Sequence, residues 1–406
     1  MKICVFTLGC KVNSSESDSL LRGLKERGYQ VTDELEKADL YIVNTCAVTA
    51  EAEKKSRQTS SRIKKLNPNA RIIYTGCACE KNPENFSVKD NTSLVTGTFD
   101  KGKILDMLDA SGVKIAPQSK VFEELLPIDT LRARSYVKVQ DGCNNFCSYC
   151  IIPYLRGRSR SRAPEKVVEE IIAVSSNEVV INGINLSAYD YNGLKLDGLI
   201  NKLKGVKSRI RLGSLEVGII DDNLLSALKS VNFAPHFHLS LQSGSNSVLK
   251  SMNRHYTAED FYEKVELIRK YFPLAGITTD IIVGFPTETE EYFLETVEFL
   301  KKVKFSDIHC FNYSPRSGTV AYKMKDLPPE VKKDRLDRLL CEKQVCRERF
   351  ENLNIGAEQE VVIEEYVDGY SVGYTGNYIR TYILGEHKGI KKVKLTERFK
   401  DGMKGE

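Results

Sequence analysis

The chain has 406 residues, 41% of them hydrophobic and 28% charged, a balance that suits two or three globular domains and excludes a peptide or a staple-dependent mini-protein. The net charge of +5 is too small by itself to announce a nucleic-acid protein, so the distribution of charge matters more. Basic residues gather over 54–65, 156–162 and 388–404, and any one such run reads first as a solvated face.

No apolar run approaches the roughly 20 residues that span a bilayer. The first ten residues lack the basic and apolar regions of a signal peptide, so a cytoplasmic location without membrane attachment is expected. In that reducing compartment the eleven cysteines are not a disulfide framework, and clustered ones are better read as metal ligands or reactive thiols.

In chain order, apolar strands at 3–8, 40–43 and 71–74 alternate with helices near 15–27 and 50–66, the pattern of a small parallel sheet with covering helices. A polar, proline-containing stretch over 101–130 reads as a connection with one weak helix. Six strand-like runs follow, at 136–139, 179–181, 210–215, 237–241, 277–283 and 308–313, separated by helical patterns. Six β/α units suggest an incomplete parallel β/α barrel, whose chemistry sits at the C-terminal ends of its strands. Pro328 and Pro329 open a long helix to about Asn352, on which Cys341 and Cys346 point in different directions and receive no metal role. Short β-type runs broken by glycines then suggest a small antiparallel barrel. The expected fold is thus α/β: a parallel α/β domain over 1–100, a connection over 101–130, a (β/α)6 barrel over 131–327, a connecting helix over 328–355 and a small β-barrel over 356–406.

Directly after the first barrel strand, Cys143-Asn144-Asn145-Phe146-Cys147-Ser148-Tyr149-Cys150 puts three thiols on one loop. Three soft thiolates can hold three irons of a 4Fe–4S cluster and leave the fourth open for a non-protein ligand. A structural zinc site wants a fourth nearby Cys or His, which neither neighbouring loop offers. Cys10, Cys46 and Cys77 each close an apolar strand of the first domain. In a parallel sheet such ends share one edge, so three distant cysteines can meet in space. For any single one, a buried structural cysteine is the alternative; three parallel coincidences weigh against it.

The loop spacing, with an aromatic residue before its last cysteine, resembles the signature of radical S-adenosylmethionine enzymes, and with the N-terminal cysteines the chain resembles the radical methylthiotransferase family almost throughout, least over 101–130. The resemblance implies a radical cluster on Cys143, Cys147 and Cys150, an auxiliary sulfur-handling cluster on Cys10, Cys46 and Cys77, and Tyr149 against the adenine of S-adenosylmethionine. Cys79 has no place in the pattern and is read as a spectator. The stretches Thr7-Leu8-Gly9-Cys10-Lys11-Val12-Asn13 and 150–162 look most like the branch that acts on N6-threonylcarbamoyladenosine beside the tRNA anticodon. The C-terminal domain, with Gly373-Tyr374-Thr375-Gly376-Asn377-Tyr378 and the basic stretch 388–394, resembles a compact TRAM domain, which implies salt-sensitive RNA binding.

Implied partners are the tRNA anticodon loop, an electron donor such as flavodoxin or ferredoxin, and a sulfur source. A monomer is the default. Polar groups at strand ends, Asn182, Gly183, Glu216, Gln242, Ser243 and Asp280, are candidates for holding S-adenosylmethionine. Arg156, Arg158, Arg160 and Arg162 share one face when extended and could meet RNA phosphates or a substrate carboxylate, or equally pair with neighbouring acids such as Glu165. Two other readings stand beside the first: the same chemistry on N6-isopentenyladenosine or a ribosomal-protein aspartate, and an RNA-binding iron–sulfur sensor without turnover.

Overall fold

The computed structural model describes residues 1–127, 133–174 and 176–406, so the domain boundary expected at 130/131 lies outside the described residues. The N-terminal sheet is built from β1 (Lys2–Thr7), β2 (Gln30–Thr32), β3 (Leu40–Thr45), β4 (Arg71–Gly76), β5 (Thr92–Thr96) and β6 (Gly112–Lys114), all parallel, in the order β2-β1-β3-β4-β5-β6. Central β3 is buried along its whole length because its two faces enter two cores, Tyr41 and Val43 one, Leu40 and Ile42 the other. Helices α1 (Lys11–Glu26) and α2 (Ala50–Leu66) cover the sheet. The stretch expected to be a connection with one weak helix carries a 3-10 turn, Lys101–Asp106, and in addition the edge strand β6.

Helix α1 begins at Lys11, four residues before its expected start. Its opening turns are polar, which hides the helical period, yet Asn13, Ser15, Glu16, Ser17 and Asp18 are buried. They face cationic and polar groups supplied from elsewhere in the chain.

The expected six-stranded barrel is present. Its strands are β7 (Arg134–Asp141), β9 (Glu178–Gly183), β12 (Arg209–Leu212), β13 (His236–His238), β14 (Gly276–Val283) and β15 (Asp307–Asn312). Short β8 (Arg160–Ser161) returns antiparallel on β7, and β10 (Asp190–Tyr191) and β11 (Leu194–Lys195) form a small hairpin. Parallel pairing joins β7, β9 and β12, then β13, β14 and β15, and parallel bridges Ile210–Phe233 and Leu215–Leu239 join the two halves. Among the described residues β7 and β15 do not pair, so the barrel is open on that side. The N-terminal domain docks there: Glu53 of α2 pairs with Arg316 beyond β15, and Glu16 of α1 pairs with Lys138 of β7 at 3.0 Å.

The helix Pro329–Leu353 packs along β15 and leads into β16 (Glu358–Val367), β17 (Tyr370–Thr375), β18 (Arg380–Leu384), β19 (Ile390–Phe399) and β20 (Gly402–Gly405), a closed barrel in the order β16-β17-β18-β20-β19. It closes the lower end of the larger barrel. Arg209 and Arg211 of β12 donate to the carbonyls of Tyr374, Thr375 and Gly376 at 3.0–3.1 Å. Tyr378 stacks on His236 at 4.4 Å between ring centroids. No helix among the described residues is long and apolar enough to cross a membrane.

Candidate active site

Because β1, β3 and β4 are neighbours, Cys10, Cys46 and Cys77 leave the same edge of the sheet. Two glycines permit their approach. Gly9 has φ +107°, and a Cβ there would stand 2.8 Å from the Cys46 sulfur; Gly76 has φ +98°, and a Cβ there would stand 2.6 Å from the Thr45 carbonyl oxygen. Asn13 locks the loops together, donating to the Leu8 carbonyl at 2.8 Å and to the Thr45 carbonyl at 3.1 Å. Burial pushes the Cys46 thiol up to about 12, with Cys77 and Cys10 pushing the same way. Burial also raises Cys77, against Arg156 and Lys101 beside it. Gly9→Ala is therefore expected to keep the fold while losing the iron held at this end, read as iron per chain after anaerobic reconstitution.

The second triad sits on the loop after β7. The Cys143 amide donates to the Gly157 carbonyl at 3.1 Å, the Ser148 amide to the Met252 carbonyl at 3.0 Å, and the Ser148 hydroxyl to the Ser251 carbonyl at 2.8 Å. Asn185 donates to the Cys143 sulfur at 3.8 Å and Arg254 to the Cys147 sulfur at 3.4 Å, contacts of the kind that tune a thiolate-bound metal. Burial pushes the Cys150 thiol up to about 12, again with neighbouring thiols, Cys147 and Cys143, adding to it.

Cys10, Cys46, Cys77, Cys143 and Cys150 all line one cavity of about 620 Å³ between the two domains. Each triad offers three soft donors, two of which, Cys46 and Cys77 in one and Cys143 and Cys150 in the other, are close enough to neighbouring thiols to be raised by them, with open space beside the set, and so fits a 4Fe–4S cluster with one iron free. When bound, such groups supply a low-potential electron for sulfonium cleavage at one end and a place for sulfur at the other. Cys79 is fully buried in the core of the N-terminal domain, its sulfur 3.5 Å from the Thr45 hydroxyl, and does not line the cavity.

Of the strand-end candidates, Asn182, Gly183 and Asp280 line the cavity. Asn182 is 2% exposed and both its amide atoms lack a hydrogen-bond partner among the described residues, unusual for a buried polar group. Ser243 does not reach the cavity: it is fully buried and shares a hydrogen bond of 3.1 Å with Thr296. Gln242 carries φ +74° and spends its backbone on Asp280 and Ile282, at 2.9 Å each. Glu216 lies behind the cysteine loop, accepting from Asn145 and from Arg254. Tyr149 is half-buried beside Phe285, with ring centroids 6.5 Å apart, and is absent from the cavity wall.

Of the two readings of the arginine row, the structure favours pairing with acids for three of its four members. Arg156 is fully buried against Glu16 at 2.8 Å and Asp141 at 3.2 Å; Arg160 pairs with Asp141 at 3.0 Å; Arg162 pairs with Glu124 at 2.7 Å and with Glu170. These three hold the structure together and are not free for substrate. Their acids are not Glu165, which pairs with Lys202. Arg158 alone is exposed, its guanidinium over the Phe146 ring at 4.5 Å.

Several cavity residues escaped sequence reading. His238 and His309 flank Asp280 at 3.1 and 3.2 Å. Burial would raise the Asp280 pKa, but these hydrogen bonds hold it well below the usual carboxylate range. His236, Lys11 and Tyr378 complete the lower wall. The signal was available for the histidines: His236 and His238 are two apart on an apolar strand, so they share its inward face.

A three-cysteine loop at the strand ends of an open six-stranded barrel, across one cavity from a second cysteine triad, is the arrangement of a radical S-adenosylmethionine enzyme. The comparisons agree. Residues 137–300 match the model of the radical SAM superfamily, and residues 2–97 match one described as uncharacterized protein family UPF0004. The chain is 39% identical to a threonylcarbamoyladenosine tRNA methylthiotransferase of Bacillus subtilis, over 98% of this chain and 94% of that protein. It is 35% identical to a tRNA-2-methylthio-N(6)-dimethylallyladenosine synthase of Thermoanaerobacter, over 98% and 91%. The fold is similar to that of a cobalamin-bound radical methyltransferase from Kitasatospora setae, with a TM-score of 0.56 at 14% identity over 77% of this chain and 74% of that one. The chain belongs to the radical S-adenosylmethionine methylthiotransferase family.

Proposed function

We propose that the protein converts N6-threonylcarbamoyladenosine beside the tRNA anticodon to its 2-methylthio derivative. The observation that carries this reading is the cavity lined by all of Cys10, Cys46 and Cys77 and by Cys143 and Cys150 of the second triad, with Cys147 buried behind its wall, large enough for a nucleobase between them. The relatives named as threonylcarbamoyladenosine tRNA methylthiotransferases support the choice of substrate.

In this reading Cys143, Cys147 and Cys150 hold the cluster that works on S-adenosylmethionine, and Cys10, Cys46 and Cys77 hold the cluster that handles sulfur. Asn182 and Gly183 receive polar groups of S-adenosylmethionine at the strand ends. An unpaired loop base enters at little unstacking cost. The small β-barrel presents Lys388, Lys391 and Lys394, exposed and without acidic partners among the described residues, toward RNA backbone. An electron donor of flavodoxin or ferredoxin type and a sulfur source complete the reaction, which we place in the cytoplasm with the enzyme as a monomer.

The test is anaerobic turnover of the reconstituted protein on three substrates side by side: anticodon stem-loops carrying threonylcarbamoyladenosine or isopentenyladenosine, and the ribosomal-protein substrate. Methylthiolation of the first alone is expected. Conversion of either other substrate in its place would overturn the assignment, and absence of 5′-deoxyadenosine under reducing conditions would return the protein to the sensor class.

A further inference from the structure

Lys11 follows the cluster cysteine Cys10 and lines the central cavity. Other cations around the two triads are spent, Lys101, Lys138 and Arg156 on Glu16, Arg160 on Asp141 and Arg254 on Glu216, while Arg158 lies over Phe146 and is not part of the cavity wall. Lys11 has no hydrogen-bond or ion-pair partner among the described residues. Glu178, at the start of β9, is consumed by Arg209 at 2.6 Å and Arg211 at 2.7 Å. The carboxylate facing Lys11 across the cavity, Asp280, is held by two histidines. The first turn of α1 adds to the positive character, since it has no acidic residue and no side-chain cap. The Lys11 side chain is exposed to the cavity without a counter-charge, so a ligand that fills the cavity and displaces its water has to supply one.

We propose that Lys11 forms a carboxylate-binding subsite at the auxiliary end of the cavity, and that it takes the carboxylate of the threonylcarbamoyl group. This deepens the substrate reading above and rests on it. C2 and N6 of adenine flank N1 on one edge of the base. A base that presents C2 to a group held by Cys10 therefore presents its N6 substituent to the residue after Cys10. An apolar substituent would leave the ammonium desolvated and unpaired, so the same residue selects against isopentenyl.

The methionyl carboxylate of S-adenosylmethionine has the same chemistry, and the test separates the two. Holoenzyme is titrated by fluorescence anisotropy with stem-loops carrying threonylcarbamoyladenosine or its neutral methyl ester, and separately with S-adenosylmethionine. Iron per chain is checked in wild type, Lys11→Met and Lys11→Arg. Wild type should prefer the acid about 20-fold, as a charge-assisted contact implies. Lys11→Met should bind acid and ester alike, Lys11→Arg should keep most of the preference, and S-adenosylmethionine affinity should be unmoved. A Lys11→Met enzyme that keeps the acid preference, or one that loses affinity only for S-adenosylmethionine, overturns the subsite. The ester comparison on wild type needs no substitution, so a variant that fails to assemble leaves it decisive: equal affinity for acid and ester refutes the subsite. Wild type that methylthiolates only isopentenyladenosine defeats the substrate reading itself, whereas turnover of the threonylcarbamoyl RNA without acid preference defeats Lys11 alone.

Discussion

Replacing Cys143, Cys147 and Cys150 together with alanine should halve the iron of the anaerobically reconstituted protein and abolish release of 5′-deoxyadenosine, with the other half of the iron retained. The two triads stand on different domains and on separate supports. The radical loop is pinned by the Cys143–Gly157 and Ser148–Met252 backbone bonds, whereas the auxiliary loops are pinned by Asn13. Loss of one set therefore leaves the other preformed. Mössbauer spectra and iron counts on wild type and variant read the result directly; loss of all iron in the variant would reduce Cys10, Cys46 and Cys77 to ordinary thiols.

Glu16→Gln should destabilise the chain by about 3–5 kcal/mol, the range for breaking a buried ion pair by removing one partner. Glu16 is 1% exposed and holds Arg156 at 2.8 Å, Lys138 at 3.0 Å and Lys101, so it joins α1 to the barrel. Asp141 shares the cations, with Arg160 at 3.0 Å and Lys138 at 3.3 Å. Burial alone would raise both carboxyls, but the cations outweigh it: Glu16 is held well below its ordinary range and Asp141 at about 2. Depressed carboxylate pKa values contribute stability that is fully present above the unfolded values near 4 and lost as pH falls through the folded ones. Denaturant titrations should show wild-type stability flat above about pH 5 and falling from about pH 4 toward pH 2, with a shallower fall in Glu16→Gln. An equal acid slope in the variant would remove Glu16 from the network.

The six barrel strands and both cysteine triads were legible because each triad member stands at the end of an apolar strand or on one tight loop, and such signals are local. Strands β2, β5, β6 and β20 were not. β2 and β6 are three residues long and β20 has four, two of them glycine; all of them pair only because a neighbour is already in place. The start of α1 was hidden because its buried face is polar, and the groups that satisfy it, such as Lys138 and Arg156, lie more than a hundred residues away. The arginine row was left open between substrate contact and pairing with acids for the same reason, and three of its four members pair, with acids other than Glu165. Whether an arginine is free depends on Glu16, Asp141 and Glu170, whose proximity is a property of the fold. Lys11 is the converse case, a cation left unpaired by that fold.

The most direct test of two facing sites in one cavity is the complementary variant, Cys10→Ala, Cys46→Ala, Cys77→Ala, incubated under reducing conditions with S-adenosylmethionine and threonylcarbamoyladenosine stem-loop. The expected result is continued release of 5′-deoxyadenosine with half the iron and no methylthiolated nucleoside in the digested RNA. Methylthiolated product from that variant would contradict the role given to the N-terminal cysteines.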